Sequence, residues 1–420
     1  MMSETFAEKI LARKTGQSRV VPGQIIEVSP DLSYSHDYSV LVIKAFNDMG
    51  ARRVWDPAKI AICLDHGIPA NTAKEANDHK VVRRFAEEQR IKRFYEAGVG
   101  IVHQVMVEKG LVLPGTIVVG SDSHTTSCGV MGAFATGIGE SDTAFLWATG
   151  RLWLRVPASV KVTLTGTLRP GVYAKDVVLE LLRQVKGDGL IYKSIEFSGE
   201  LIDNLPVSQR FIFCNMTCEL GGKCGVIACD RTTREYLEHR TEVSYEPIYA
   251  DADAHYDQEI VIDASTVSPM IALPGDVDRG VPIEKAAGTK IDQAFLGSCT
   301  NARADDLEVA ATVLRGRKVH SKVRLLVVPA SAQEGLEAMR KGYMEIFQEA
   351  GAIILPSGCA VCHGGHQGVL ADGDKCISSS NRNFTGRMGN PKAEIYLASP
   401  AAVAAAAVAG EIVDPREFLS

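Results

Sequence analysis

Only one C-x-x-C pair occurs in this sequence, and no second pair stands ready to complete a four-ligand zinc site. Basic charge is not in excess either. The net charge of −6 gives no electrostatic footprint for nucleic acid. Aromatic residues are sparse at 6%, which leaves little material for a stacking platform. Long apolar runs are missing. The most apolar stretch, "AAVAAAAVAG" at 401–410, is too short to span a bilayer and reads instead as a closely packed helix. The N-terminal "MMSETFAEKILARKTGQ" has no continuous apolar core, so it reads as an amphipathic helix with Ser3 as N-cap and not as a signal peptide. These absences predict a cytosolic protein that needs neither membrane nor nucleic acid. Ten cysteines in that setting point away from a disulfide framework and towards metal ligation, catalysis or simple burial.

Glycine, by contrast, is abundant at 38, and suits loops that approach a ligand with bare backbone. A chain of 420 residues is too long for one small core, so two or three domains are expected. Strand-like and helix-like patterns alternate. "KIAICLDHG" and "GTIVVGSDSHTTSCG" read as buried strands that end in polar turns, and "HKVVRRFAEEQRIKRFYEAG" (79–98) reads as a helix stopped by Gly98. "DQAFLGSCTN", "KVRLLVVPA" and "GAIILPSGCAVCHGG" repeat the strand–loop pattern later in the chain. Breaks near 155–159 and in the charged stretch 275–288 divide the sequence into 1–157, 158–286 and 287–420. The fold class this predicts is α/β, with ligands met at the carboxyl ends of strands.

The loop "GCAVCHGG" carries Cys359 and Cys362, which fit half of a zinc site, a redox pair or part of an iron–sulfur site. Cys299 in "LGSCTN" also follows a strand pattern. Adjacent parallel strands would bring both loops to one sheet edge, where three thiolates can hold an iron–sulfur cluster and leave one iron open. Cys214, Cys218, Cys224 and Cys229 lack a paired spacing and read as packing residues. Asp65-His66, His103-Gln104, Asp122-Ser123-His124 and Glu219 supply carboxylates and imidazoles. A carboxylate that fixes an imidazole tautomer makes a proton donor or acceptor near neutral pH. Arg382 and Arg387, in "SSSNRNFTGR", are spaced for a clamp on carboxylates.

Taken together, "SNRNFTGR", "LGSCTN", "GSDSHT" and "GIVHQ" resemble the aconitase superfamily, in particular the large subunits of its isopropylmalate dehydratase and homoaconitase branch. The resemblance runs through nearly the whole chain in the family's order. It implies three α/β domains around a central cleft. It also implies one 4Fe–4S cluster on Cys299, Cys359 and Cys362, with one iron free for substrate, and Asn215 and Asn381 beside it. Arg382, Arg387, Ser123, His36 and Asp37 would meet substrate. Asp65-His66, His103 with Asp122, and His124 with Glu219 would act as carboxylate–imidazole pairs on the leaving hydroxyl. His36 stands where true aconitases have Gln, which favours the dehydratase branch and a malate-type hydroxy diacid as substrate.

No carbon base is evident. Single-chain relatives take it from a swivelling fourth domain, for which this sequence leaves no room, so a separate small subunit is expected to complete the site. Departures at "SHDYSVLV", at Cys128 and Val130, and at His363, where an aliphatic residue is usual, bear on substrate choice. Two readings from other classes remain at this stage: an RNA-binding protein in the cluster-free form, and a structural zinc or thiol-redox protein.

Overall fold

The computed structural model describes residues 3–419. Three sheets of mainly parallel strands carry the chain. The first has five parallel strands in the order Arg93–Tyr95, Ile60–Cys63, Leu32–Ser35, Ile117–Gly120 and Phe134–Gly137. The second has four parallel strands, Cys224–Ile227, Ser194–Ser198, Ser159–Thr165 and Gln258–Asp263. In the third, Glu394–Ala398, Lys375–Ser378, Gln293–Leu296, Arg324–Val327 and Ile353–Ile354 run parallel. Met270–Ala272 and Gly280–Pro282 extend this third sheet antiparallel, so the stretch read as a linker contributes a strand. Central strands of the first and third sheets are buried on both faces, which is why they read as continuous apolar runs with no alternation.

Several local expectations are corrected. The first helix is Phe6–Thr15, and its N-cap is Thr5, not Ser3. Thr5 accepts from the Glu8 backbone N–H while the Glu8 carboxylate accepts from the Thr5 N–H, a reciprocal pair that Ser3 cannot make. The helix expected over 79–98 is instead Ala73–Glu88, capped by Thr72. Arg90 takes a left-handed φ of 60°, and Arg93–Tyr95 then pairs with Ile60–Cys63. An edge position in the sheet overrode helical spacing there. The strands before Cys299 and Cys359 are not adjacent either, because Arg324–Val327 lies between them. All three are parallel, so both loops still leave at one edge. The alanine-rich segment forms the buried helix Pro400–Ala409, and no described helix is long and apolar enough to cross a membrane.

One glycine is required by close approach. The segment Ser123–Met131 packs on the strand Cys224–Ile227, and a Cβ at Gly129 would overlap the Gly225 carbonyl. Gly129→Ala is therefore expected to destabilise the protein by about 2 kcal/mol or more, measured by urea unfolding.

Candidate active site

Parallel strands place their following loops at a common edge, and the site is built from those loops. In the first sheet, Leu32–Ser35 leads to His36 and Asp37, Ile60–Cys63 to Asp65 and His66, and Ile117–Gly120 to Asp122, Ser123 and His124. The short helix Val102–Glu108 carries His103. In the third sheet, Gln293–Leu296 leads to Cys299, Ile353–Ile354 to Cys359 and Cys362, and Lys375–Ser378 to Asn381 and Arg382. These loops enclose a cavity of about 380 Å³ lined by His36, His66, His103, Asp122, Ser123, His124, the three cysteines, Asn381, Arg382 and Arg387.

The three carboxylate–imidazole pairs are formed. His66 Nδ1 lies 2.6 Å from Asp65 Oδ1, His103 Nε2 lies 3.0 Å from Asp122 Oδ1, and His124 Nε2 lies 2.8 Å from Glu219 Oε1. Asp122 does more than serve His103. His66 Nε2 and His124 Nδ1 also approach it, at 3.6 and 3.5 Å, so one carboxylate is shared among three imidazoles. Asp65, Asp37, Asn215 and Glu219 are not in the lining. Asp65 accepts from the Val102 N–H, and Asp37 accepts from the backbone N–H groups of His66 and Gly67.

Electrostatics separate the imidazoles. Burial works against a charged His66, but Cys359, Asp65 and Asp122 outweigh it and hold its pKa well above the usual histidine value. Burial prevails at His103, whose pKa is lowered despite Asp122, and its Nδ1 lies 2.7 Å from the Tyr34 hydroxyl. The carboxylates of Asp122, Asp37 and Glu219 are also buried. Their partners overcome that penalty and hold all three below the ordinary carboxylate range: the histidines around Asp122 and Asp37, and His124 with Arg382 at Glu219.

Arg382 is fixed by two other segments. Nε donates to Glu219 Oε1 at 2.8 Å, while Nη2 donates to Ser123 Oγ at 3.1 Å and to Cys218 Sγ at 3.0 Å. Arg387 Nη2 points to Cys362 Sγ at 3.8 Å, and its buried Nε has no partner among the described residues. A buried guanidinium N–H left in that state favours an anionic guest.

The aconitase family (aconitate hydratase) profile matches residues 8–289 and 283–410. The chain belongs to the aconitase family. A relative named "3-isopropylmalate dehydratase large subunit 1" from Methanopyrus kandleri is 46% identical over 419 residues, covering 100% of both chains. The 3-isopropylmalate dehydratase large subunit of Aquifex aeolicus is also 46% identical, over 100% of this chain and 98% of its own. The "Probable methanogen homoaconitase large subunit" of Methanothermobacter thermautotrophicus is 44% identical over 99% of each. Among solved structures, holo aconitase X of Thermococcus kodakaraensis shares the fold, with a TM-score of 0.52, 15% identity and 92% coverage of each chain.

Membership of the aconitase family implies a 4Fe–4S cluster, and the donor set fits one. Cys299, Cys359 and Cys362 are buried free thiols on a single cavity. Cys299 Sγ accepts from Asn215 Nδ2 at 3.1 Å and from Asn381 Nδ2 at 3.3 Å, the N–H···S contacts that stabilise a thiolate. Burial pushes the Cys359 thiol up to about 12, so it needs a metal to deprotonate it near neutral pH. Of the other cysteines, Cys214 and Cys224 are buried in apolar clusters, Cys214 with Cys128 beside it, and Cys229 is also buried, whereas Cys218 is partly exposed beside Arg382.

Sequence reasoning missed several contributors. Tyr38, Ile101, Ser121 and Glu140 line the cavity, and Tyr34 supports His103 from behind. His363, whose departure from the usual aliphatic residue bears on substrate choice, is half-buried in the lining. Its Nδ1 lies 3.1 Å from the Ala360 carbonyl, and its ring is 5.4 Å from that of His66. Burial and the neighbouring His66 lower its pKa to about 3, so it presents a neutral aromatic wall.

Arg303 was also missed, although it follows "LGSCTN" by two residues. It donates to the carbonyls of Cys299 (2.8 Å) and Thr300 (2.9 Å) and to Gln104 Oε1 (2.9 Å), and its guanidinium lies over Phe211. This one buried side chain ties the Cys299 loop to the helix of His103. Arg303→Lys, with one donor centre for three acceptors, is expected to lower iron content and turnover together, each about tenfold, by metal analysis and steady-state assay.

Proposed function

We propose that this chain is the large subunit of an iron–sulfur hydro-lyase that interconverts the 2- and 3-hydroxy isomers of a malate-type diacid, 3-isopropylmalate first among them. The observation that carries the reading is the convergence of three thiols, two arginines and three imidazoles, each paired with a carboxylate, on one cavity. Cys299, Cys359 and Cys362 would hold the cluster. When bound, a cluster with one iron lacking a protein ligand supplies a Lewis acid for the substrate hydroxyl.

The chain's own residues do the rest. Arg382 and Arg387 take the substrate carboxylates and orient the two bonds that must break. His66 is held as an imidazolium by Asp65 through Nδ1, which leaves Nε2 to hand a proton to the departing hydroxyl. His103 and His124 are fixed by Asp122 and Glu219 and accept or return protons of the released water. The base that removes the carbon-bound proton is assigned to a small subunit, in keeping with the "large subunit" names of the relatives.

Homoaconitase activity is the second reading, because a relative with that name is nearly as similar. The two substrates differ in side chain, which His363 and Tyr38 would meet. The test is anaerobic co-expression with the small subunit and a panel of malate-type diacids together with the tricarboxylate homocitrate, monitored by alkene absorbance. Turnover of isopropylmalate above the other acids is expected, and preference for homocitrate would select the second reading. The large subunit alone is expected to be nearly inactive, and substantial turnover without a partner would refute the division of labour.

A further inference from the structure

Lys175 has no exposure to solvent, an unusual place for an ammonium group. It lies on the helix Ala174–Val185, which connects two strands of the second sheet and packs against Met270–Ala272 and Gly280–Pro282 of the third. Its Nζ donates to the carbonyls of Ser379 (3.2 Å) and Ser380, immediately before Asn381 and Arg382, and lies 4.0 Å from Met216 Sδ. All of these partners are neutral. The neighbouring carboxylate, Asp176, is occupied by the backbone N–H groups of Tyr173 and Met270. A buried charge held only by carbonyl dipoles costs several kcal/mol unless an anion compensates it.

The acidic groups whose field reaches Lys175 are Glu219, Cys299, Cys362 and Asp306, with Asp176 beside it in the chain. Glu219 is already matched by Arg382 and His124. Asp306 is bonded to Asn301 and to the backbone of Ala302 and Arg303. The cysteines are left. Three thiolates outweigh the doubly positive resting core of a 4Fe–4S cluster, so the loaded centre is anionic before a dianionic substrate arrives.

We propose that Lys175 is the buried counter-charge for this centre: a positioning residue that favours cluster reduction and substrate binding without touching either. The inference rests on the cluster reading above. Burial lowers the Lys175 pKa to about 8 against the opposing pull of the nearby acidic groups, so the group is cationic at neutral pH. Through the Ser379 and Ser380 carbonyls the same ammonium also holds the turn that delivers Asn381 and Arg382.

The test compares Lys175→Gln, which keeps an N–H donor but loses the charge, with Lys175→Arg, which keeps the charge. Each is purified anaerobically as the large–small complex and assayed for iron and sulfide, for cluster midpoint potential by EPR-monitored titration, and for KM and kcat. The Gln variant is expected to show a lower midpoint potential and a KM about tenfold higher, with a smaller change in kcat. The Arg variant should stay near the wild type in both. An unchanged potential and KM in a cluster-loaded Gln variant would overturn the proposal. If the Gln variant fails to load, the Arg variant decides: retention supports a role for charge, and loss in both leaves only a steric role. Absence of iron and sulfide from the wild-type complex overturns the cluster reading, and this inference with it.

Discussion

Cys299→Ser is expected to abolish cluster retention and turnover together, with activity falling at least a thousandfold. The serine hydroxyl is a hard, weakly acidic donor in a buried site, whereas iron in a sulfide cluster favours soft thiolate ligands. Cys299 is also the anchor of the local network. Asn215 and Asn381 donate to its sulfur, and Arg303 binds its carbonyl. The flanking Ser298 and Ala302 both adopt positive φ, at 85° and 96°, so the loop is held in a conformation that few residues other than glycine take freely. Loss of the ligand cannot be compensated by movement of such a loop. Iron and sulfide analysis alongside steady-state assay checks this result, and an intact, active cluster in the variant would show that the ligand assignment is wrong.

Arg382→Lys is expected to lower kcat/KM about 10²- to 10³-fold while leaving the cluster spectrum intact. The guanidinium fork satisfies Glu219, Ser123 and Cys218 at once and still offers N–H groups to a carboxylate. A lysine ammonium is a point charge that can serve Glu219 or the substrate, not both in a fixed geometry. Glu219→Gln should act on the same unit, because Glu219 holds both Arg382 and His124. The double variant should therefore cost less than the two single losses added as free energies. Full additivity would mean that the arginine and the glutamate act separately.

Much of the site was legible because its residues sit at strand ends. Asp65, Asp122 and Cys299 each follow an apolar run at a polar turn, a local pattern that needs no knowledge of the fold, and Arg382 stands out in its Asn- and Gly-bearing loop. Their convergence follows once the strands are parallel. The supporting residues are different in kind. Tyr34 lies inside a strand and reads as core; its hydroxyl matters only because the helix of His103 packs above it. Arg303 and Lys175 look like ordinary polar residues of a surface helix. Only the docking of helices from one sheet on loops of another buries them. The helix expected over 79–98 failed for a related reason. Its second half meets the free edge of the Ile60–Cys63 strand, and pairing there outweighs spacing. The sharing of Asp122 among three histidines was likewise invisible, because His66, His103 and His124 come from separate segments of the chain.

The most direct test of the account is metal and acid-labile sulfide analysis of the anaerobically purified chain. About four iron and about four sulfide per chain, the composition of a 4Fe–4S cluster, is the predicted result. Zinc without iron or sulfide would contradict the account.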